Sequence, residues 1–303
     1  MWNKVVYRFE KRARQSQLSS LLPIIRERLP SLYGFILRFR DKLFSYQDMG
    51  ATTRYQYRAI HRYFEVAKEK ENIKIVLEVG TDLEGAVAHA LADRGVGMYV
   101  GINPRLGSVT AQRVVSSDKR IFLLRGDGRC LPLANNSINS IISIATFEHI
   151  NQIDSALAEL YRALEPGGFV YADFGPIWSC SVGHHVYAKV GDEEARHWKP
   201  GKNPVPHFGH LLYSRDELRS HLDDWPSPQL TEEILDWIFD ATDINRLHYE
   251  DYLKAFRESQ FEIADFRKVN EHVDQRTLAE LELRYPGYKE FSCRMIEVLL
   301  RKS

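Results

Sequence analysis

Leu164-Glu165-Pro166-Gly167-Gly168-Phe169-Val170-Tyr171 is the stretch that decides the fold. The run Ile153 to Leu164 predicts a helix, and it ends against Pro166, which lacks an N–H and clashes with the preceding turn. Gly167 and Gly168 accept positive φ without a Cβ clash, so the chain can turn sharply there. Gly168 to Phe174 is then an apolar run of strand length. A helix that stops and feeds straight into a buried strand is the repeating step of an α/β layer protein.

Working outward, the same rhythm recurs. Ile73 to Val79 predicts strand one, Leu83 to Arg94 a helix, and Gly97 to Ile102 strand two, closed by Asn103-Pro104. Ile121 to Leu124 predicts strand three and Ile138 to Ile144 strand four. After a long interruption come a helix over Tyr249 to Ser259, strand six over Phe261 to Phe266 and strand seven over Met295 to Leu300. Upstream, Arg54 to Lys70 predicts a helix with Tyr57, Ile60, Tyr63 or Phe64, and Ala67 facing inward. Near-continuous apolar strands fit a parallel sheet buried on both faces, with right-handed crossovers.

Composition narrows the class. A 303-residue chain with 44% hydrophobic and 27% charged residues is ordinary for a globular protein. Its three cysteines form no CxxC pair, which argues against a disulfide framework and a cysteine-built zinc site. No apolar run reaches the ~18 residues of a membrane span, and no secretory h-region opens the chain. These features predict a cytoplasmic protein. The formal charge is zero but uneven: residues 1–45 carry ten Lys/Arg against three acids, a balance of +7. Trp2, Val5, Val6 and Phe9 share one face of a predicted helix. Residues 1–50 therefore read as a basic helical extension, and residues 1–45 suit peripheral contact with an anionic membrane face. Docking of the same apolar stripe on the protein's own body is the competing reading.

Four pieces in order carry a resemblance: Glu78-Val79-Gly80 after strand one, Gly126-Asp127-Gly128, Phe147-Glu148-His149-Ile150 after strand four, and the Pro-Gly-Gly segment. Together they resemble the nucleotide-binding half of S-adenosylmethionine-dependent methyltransferases with a Rossmann-like fold, of the type 11 kind. That resemblance implies a doubly wound, seven-stranded, mostly parallel sheet with the last strand antiparallel. It implies a methyltransferase domain over residues 51–303, with an insertion at about 175–250 after strand five. The implied cofactor is S-adenosylmethionine, and the implied cofactor residues are Glu78, Gly80, Thr81, Asp82, Asn103, Asp127, Gly128, Ala145 and Thr146. Two departures stand out. Asp82 and Glu84 occupy positions where the family has glycines, and Asn103 stands where an acid usually accepts from the ribose hydroxyls.

The insertion holds Trp198, Trp225, Trp237 and seven of the eleven histidines. It opens with Gly175-Pro176-Ile177-Trp178-Ser179-Cys180-Ser181-Val182-Gly183-His184-His185. An oxygen acceptor needs a base, and histidine is the usual one, so His184 and His185 are the candidate bases. The competing reading is a pair of loop histidines bonded to backbone. Trp178, His207 and His210 are candidate substrate residues. His207 and His210 have a ligand-like spacing, with Asp173 or Asp192 as further oxygens, but loop spacing alone does not make a metal site, and none is expected. The GPIW…GHH loop and the His210 to Tyr213 run look like bacterial surface-polysaccharide methyltransferases. The expected activity is O-methylation of a small molecule or lipid-linked glycan. The alternative is a degenerate methyltransferase fold acting as a binding or scaffold protein, motivated by the altered glycines and Asn103. No Asn/Asp-Pro-Pro-Tyr/Phe motif ends strand four, so nucleic acid is not expected as a partner.

Overall fold

The computed structural model describes residues 51–67, 73–81, 87–88, 91, 96–106, 121–199, 201–223, 225 and 227–303. The basic extension and both departures at Asp82 and Glu84 lie outside the described residues. Seven strands form one sheet: β1 (Ile75–Val79), β2 (Met98–Ile102), β3 (Ile121–Leu124), β4 (Ile138–Ile144), β5 (Leu164–Phe174), β8 (Glu262–Asn270) and β9 (Cys293–Arg301). Their order is β3-β2-β1-β4-β5-β9-β8. β1, β2 and β3 pair in parallel, whereas β9 is antiparallel to both β5 and β8. The doubly wound, mostly parallel sheet with its last strand reversed is thus present.

The chain divides into two compact units, residues 1–127 with 138–142, and residues 128–137 with 143–303. In the first, α1 (Ala51–Ala67) buries Ile60, Tyr63 and Ala67, the face expected from its spacing. Two long-range bonds fix the start of β4. The Tyr63 hydroxyl lies 2.6 Å from Ser140 Oγ, and Asn139 Oδ1 accepts from Ile75 N at 2.7 Å. Both partners sit where water is absent or scarce, so each bond matters more for its loss than its formation.

In the second unit, α2 (Ile153–Ala163) passes directly into β5. Here the structure corrects the expected turn. β5 starts at Leu164, because Gly167 N donates to Lys302 O at 2.8 Å and Lys302 N to Gly168 O at 2.9 Å. The Pro-Gly-Gly segment is paired with the end of β9 and forms part of the ladder. Gly167 does adopt positive φ (74°). Phe174 packs against Phe147, Tyr252 and Phe256, the last two from α6 (Tyr249–Glu258).

The insertion is built from the hairpin β6 (Tyr187–Val190) and β7 (Glu193–Arg196), with α3 (Gly209–Leu212), α4 (Arg215–His221) and α5 (Pro228–Phe239). Val186, Ala188, Ala195, Leu218, Leu230, Ile234 and Ile238 give it a core of its own. α7 (Gln275–Arg284), between β8 and β9, was not anticipated; its Leu281 packs with Phe208, Leu211 and Phe291. Among the described residues no helix is long and apolar enough to cross a membrane.

Candidate functional site

In the first unit the turn after β1 is shaped by backbone geometry. Gly80 has φ 88°, a region that L side chains avoid. Its N–H and that of Thr81 both donate to Ile102 O, at 2.9 and 3.1 Å, so the turn folds back onto the end of β2. Asn103, half-buried at that end, spends its amide locally: Nδ2 donates to Thr81 O at 2.7 Å and Oδ1 accepts from Arg105 N at 2.8 Å. Glu78 is buried, and the Tyr99 hydroxyl donates to its carboxylate while lying 2.8 Å from Thr81 Oγ1. The turn after β3 joins the group through Gly126 N, which donates to Asn103 O at 3.4 Å, and carries half-buried Asp127. Glu78, Gly80, Thr81, Asn103 and Asp127 are therefore gathered on adjoining turns. The bend itself carries no side chain at Gly80, while the Asn103 amide and the Glu78 carboxylate are engaged by neighbouring backbone and Tyr99. Asp82 lies outside the described residues.

In the second unit Gly128 is buried, and Ala145 takes positive φ (49°) while its N–H donates to Asp173 O at 2.9 Å. Thr146 Oγ1 donates to Ile144 O at 2.9 Å. Both hold the turn after β4 by bonds to the strands themselves.

That turn delivers Glu148 into a cluster of imidazoles. His149 and His185 meet edge to face with centroids 5.4 Å apart, and His185 and His197 lie 4.7 Å apart. His184 lies 6.3 Å from His197 and 5.3 Å from His210, which contacts Trp178 at 4.7 Å. Gly183 permits the tight loop: a Cβ there would fall 2.4 Å from the carbonyl oxygens of Ile177 and Trp178. Backbone partners set the tautomers. His185 Nδ1 donates to Gly183 O at 2.8 Å, leaving a lone pair on Nε2. His184 Nδ1 instead accepts from Val186 N at 3.1 Å, so its Nε2 carries the proton. Both Nε2 atoms are buried without a hydrogen-bond partner.

Burial dominates the electrostatics. It pushes the Glu148 carboxyl up to about 8, against the lowering effect of Gly175 N–H, and nearby Asp173 adds to the rise. Burial, then neighbouring imidazoles, hold His184 and His185 well below the ordinary histidine range. Burial also lowers His197 and His210 to about 4. These rings are neutral at physiological pH and weakly basic.

His210 and Trp178 are brought together, Nε2 of the histidine donating to Trp178 O at 2.8 Å; His207 is exposed, and among the described contacts it bonds to neither. His197 was missed by sequence reading. The density of histidines in the insertion hinted at it, and Gly191-Asp192, a two-residue turn with Gly191 at φ 58°, marks the hairpin that returns it to His185.

The sheet order and these turns resemble those of the S-adenosylmethionine-dependent methyltransferases with a Rossmann-like fold, and S-adenosylmethionine is the cofactor that resemblance supports. Residues 77–172 match the family model of a methyltransferase domain. Over 176 residues the chain is 28% identical to an uncharacterized methyltransferase of Mycobacteroides abscessus, covering 53% of this chain and 67% of that one. It is 33% identical over 149 residues to one of Mycobacterium avium, covering 46% and 56%. The matched segment thus spans a little over half to two thirds of these curated relatives. An S-adenosylmethionine-dependent methyltransferase from Mesorhizobium loti is 13% identical with a TM-score of 0.48, over 79% of this chain and 97% of that one.

Proposed function

We propose that this chain transfers the methyl group of S-adenosylmethionine to a hydroxyl oxygen of a small molecule or lipid-linked glycan. The observation that carries the choice of oxygen is the buried Glu148–His185 pair, with His185 Nε2 4.0 Å from Glu148 Oε1 and its lone pair unengaged. When bound, the cofactor supplies an activated methyl on a sulfonium, so the protein must orient the acceptor and take up its proton. The acceptor oxygen forms a bond to the methyl carbon as the carbon–sulfur bond breaks, and the displaced electron pair leaves the sulfur neutral. The hydroxyl proton passes to the unengaged lone pair of His185 Nε2, because burial keeps the neighbouring Glu148 carboxyl protonated below about 8. Glu78, Gly80, Thr81, Asn103 and Asp127 hold the cofactor in this reading; Trp178 and His210 line the acceptor side, and Trp178 offers an aromatic face suited to a sugar ring.

The basic balance of residues 1–45 supports an acceptor presented at an anionic membrane face, as a lipid-linked saccharide would be. The test is methyl incorporation from labelled cofactor into lipid-linked saccharides and free sugars, with calorimetry of S-adenosylhomocysteine on the same preparation. Binding with incorporation supports the reading. Binding without incorporation into any glycan pool removes the glycan acceptor, and absence of binding at millimolar ligand returns the chain to a scaffold role.

A further inference from the structure

We propose that Glu148, His149 and His185 form a binding site for one divalent transition-metal cation, with a coordination position left open toward solvent. A carboxylate oxygen and two imidazole nitrogens from these residues all lie within 4.8 Å of one another. Tetrahedral Zn2+ bonds of about 2.0–2.2 Å place ligand atoms roughly 3.3–3.6 Å apart, so closure draws the three donors together by up to about an ångström.

The chemistry of each donor points the same way. His149 Nδ1 lies 2.7 Å from Asp243 O and His185 Nδ1 2.8 Å from Gly183 O. A backbone carbonyl on Nδ1 fixes that nitrogen as the protonated one and turns the Nε2 lone pair outward, the arrangement that outer-shell partners give metal-binding histidines. Glu148 is anchored by one oxygen only, Oε1 accepting from Gly175 N at 3.1 Å. Its Oε2 and His185 Nε2 are both buried without a hydrogen-bond partner, and the two side chains are 99% and 93% buried by the complement of their 1% and 7% exposures. Buried polar atoms are rarely left unsatisfied, and a bound ion or ordered water is one way such a pair is completed. His185 also holds a left-handed backbone, φ 50°, a strained conformation that the cluster maintains.

His184 is excluded from the set by its tautomer, since its Nε2 carries a proton. His149 is exposed, so the third ligand sits at the mouth of the cluster. Three protein ligands with an open side are the pattern of catalytic rather than structural metal sites. Imidazole with carboxylate favours Zn2+, Co2+ or Mn2+ over Ca2+. The site stands on these three side chains alone. Giving its open position to the acceptor hydroxyl rests on the proposed methyl transfer: a bound cation would occupy the His185 Nε2 lone pair and, in place of proton uptake there, lower the hydroxyl pKa so that the proton leaves to solvent.

The full chain, stripped with chelator and desalted, is titrated with Co2+ by visible absorption and with Zn2+ by calorimetry. We expect one saturable equivalent and ligand-field bands with Co2+. Glu148→Gln keeps the Gly175 bond, and His149→Ala is a surface change; each weakens binding on the order of tenfold or more with unchanged circular dichroism. His207→Ala, on an exposed histidine of the same insertion, leaves binding intact. Absence of a stoichiometric site, or affinity that survives both Glu148→Gln and His149→Ala, overturns the proposal. S-adenosylhomocysteine calorimetry on the same samples separates the two readings. Cofactor binding with no metal bound overturns this site and spares the transferase; metal binding with no cofactor affinity does the reverse.

Discussion

The Tyr99 hydroxyl, on β2, donates to the carboxylate of Glu78, on β1, and lies 2.8 Å from Thr81 Oγ1. Register explains the meeting. Tyr99 pairs with Val76 and Gly101 with Glu78, and Gly101 has no side chain to crowd the space beside Thr81, where a Cβ would fall 2.8 Å from the Thr81 methyl. The acid that opens the turn after β1 is therefore oriented by the neighbouring strand.

Tyr99→Phe removes that donor and keeps the ring. We expect a loss of about 1–3 kcal/mol, because a buried carboxylate loses a hydrogen bond it cannot recover from water. S-adenosylhomocysteine affinity should fall as well if Glu78 belongs to the cofactor site, since Glu78 loses one of the bonds that orient it. Urea melts and calorimetry on the variant check both, and unchanged affinity would show that Glu78 orientation is irrelevant to the ligand.

Much of this was legible in the sequence. β3 and β4 have the boundaries read from their apolar runs, because turn residues bracket both tightly. The Glu78 to Thr81 turn and the Asp127 turn stood out by their glycines. What escaped was made by tertiary contact. The Tyr99–Glu78 bond links residues 21 apart across parallel strands, and no local pattern marks it. β6 and β7 are short, with Lys189, Glu193 and Glu194 masking their strand alternation. His197 joins His185 only because that hairpin returns. The low basicity of His184 and His185 also depends on burial, which residue type alone does not reveal.

Gly80→Ala tests the turn directly. With φ at 88°, a Cβ there costs about 1–2 kcal/mol or forces the turn to move. We expect a lowered urea midpoint and a cofactor affinity reduced by about tenfold if the turn shifts by as little as an ångström. Native affinity in a stably folded Gly80→Ala chain would remove this turn from the cofactor site.

The buried cluster predicts how stability varies with pH in chelator-treated protein. His197 and His210 have folded pKa values of about 4, and His184 and His185 also lie below the unfolded value. Below the unfolded histidine pKa of about 6.5 the unfolded chain binds more protons, so stability falls as pH drops from about 6.5 toward 4. Glu148 acts oppositely. Its folded pKa of about 8 exceeds the unfolded value, so its contribution is full below about 4.5 and is lost as pH rises through 8. The four histidines outweigh one carboxyl on the acid side, which places the maximum near pH 6.5. Urea melts from about pH 5 to 9 should show it. His210→Gln, which can still donate to Trp178 O, should flatten the acid limb, and Glu148→Gln the alkaline one.

Lys302 predicts a stability effect of its own. Its side chain is nearly buried, and Nζ donates to Tyr161 O and Leu164 O at 2.7 Å and to Asn136 Oδ1 at 2.8 Å. Tyr161 and Leu164 close α2, so the ammonium satisfies carbonyls that a helix end leaves open and meets the negative end of its dipole. It also lies 4.6 Å over the Tyr161 ring. The Pro-Gly-Gly junction that marks the fold in the sequence is thus held by a residue next to the C-terminal Ser303. Lys302→Met retains the aliphatic stem and loses all three bonds. The expected cost is about 1–3 kcal/mol, seen as a lower urea midpoint at an unchanged slope. Asn136→Gly, which removes one acceptor, suits the φ of 53° at that position and leaves both carbonyls capped, should cost less. If Lys302→Met proves as stable as the parent chain, the capping role fails, and the junction is held by the β5–β9 ladder alone.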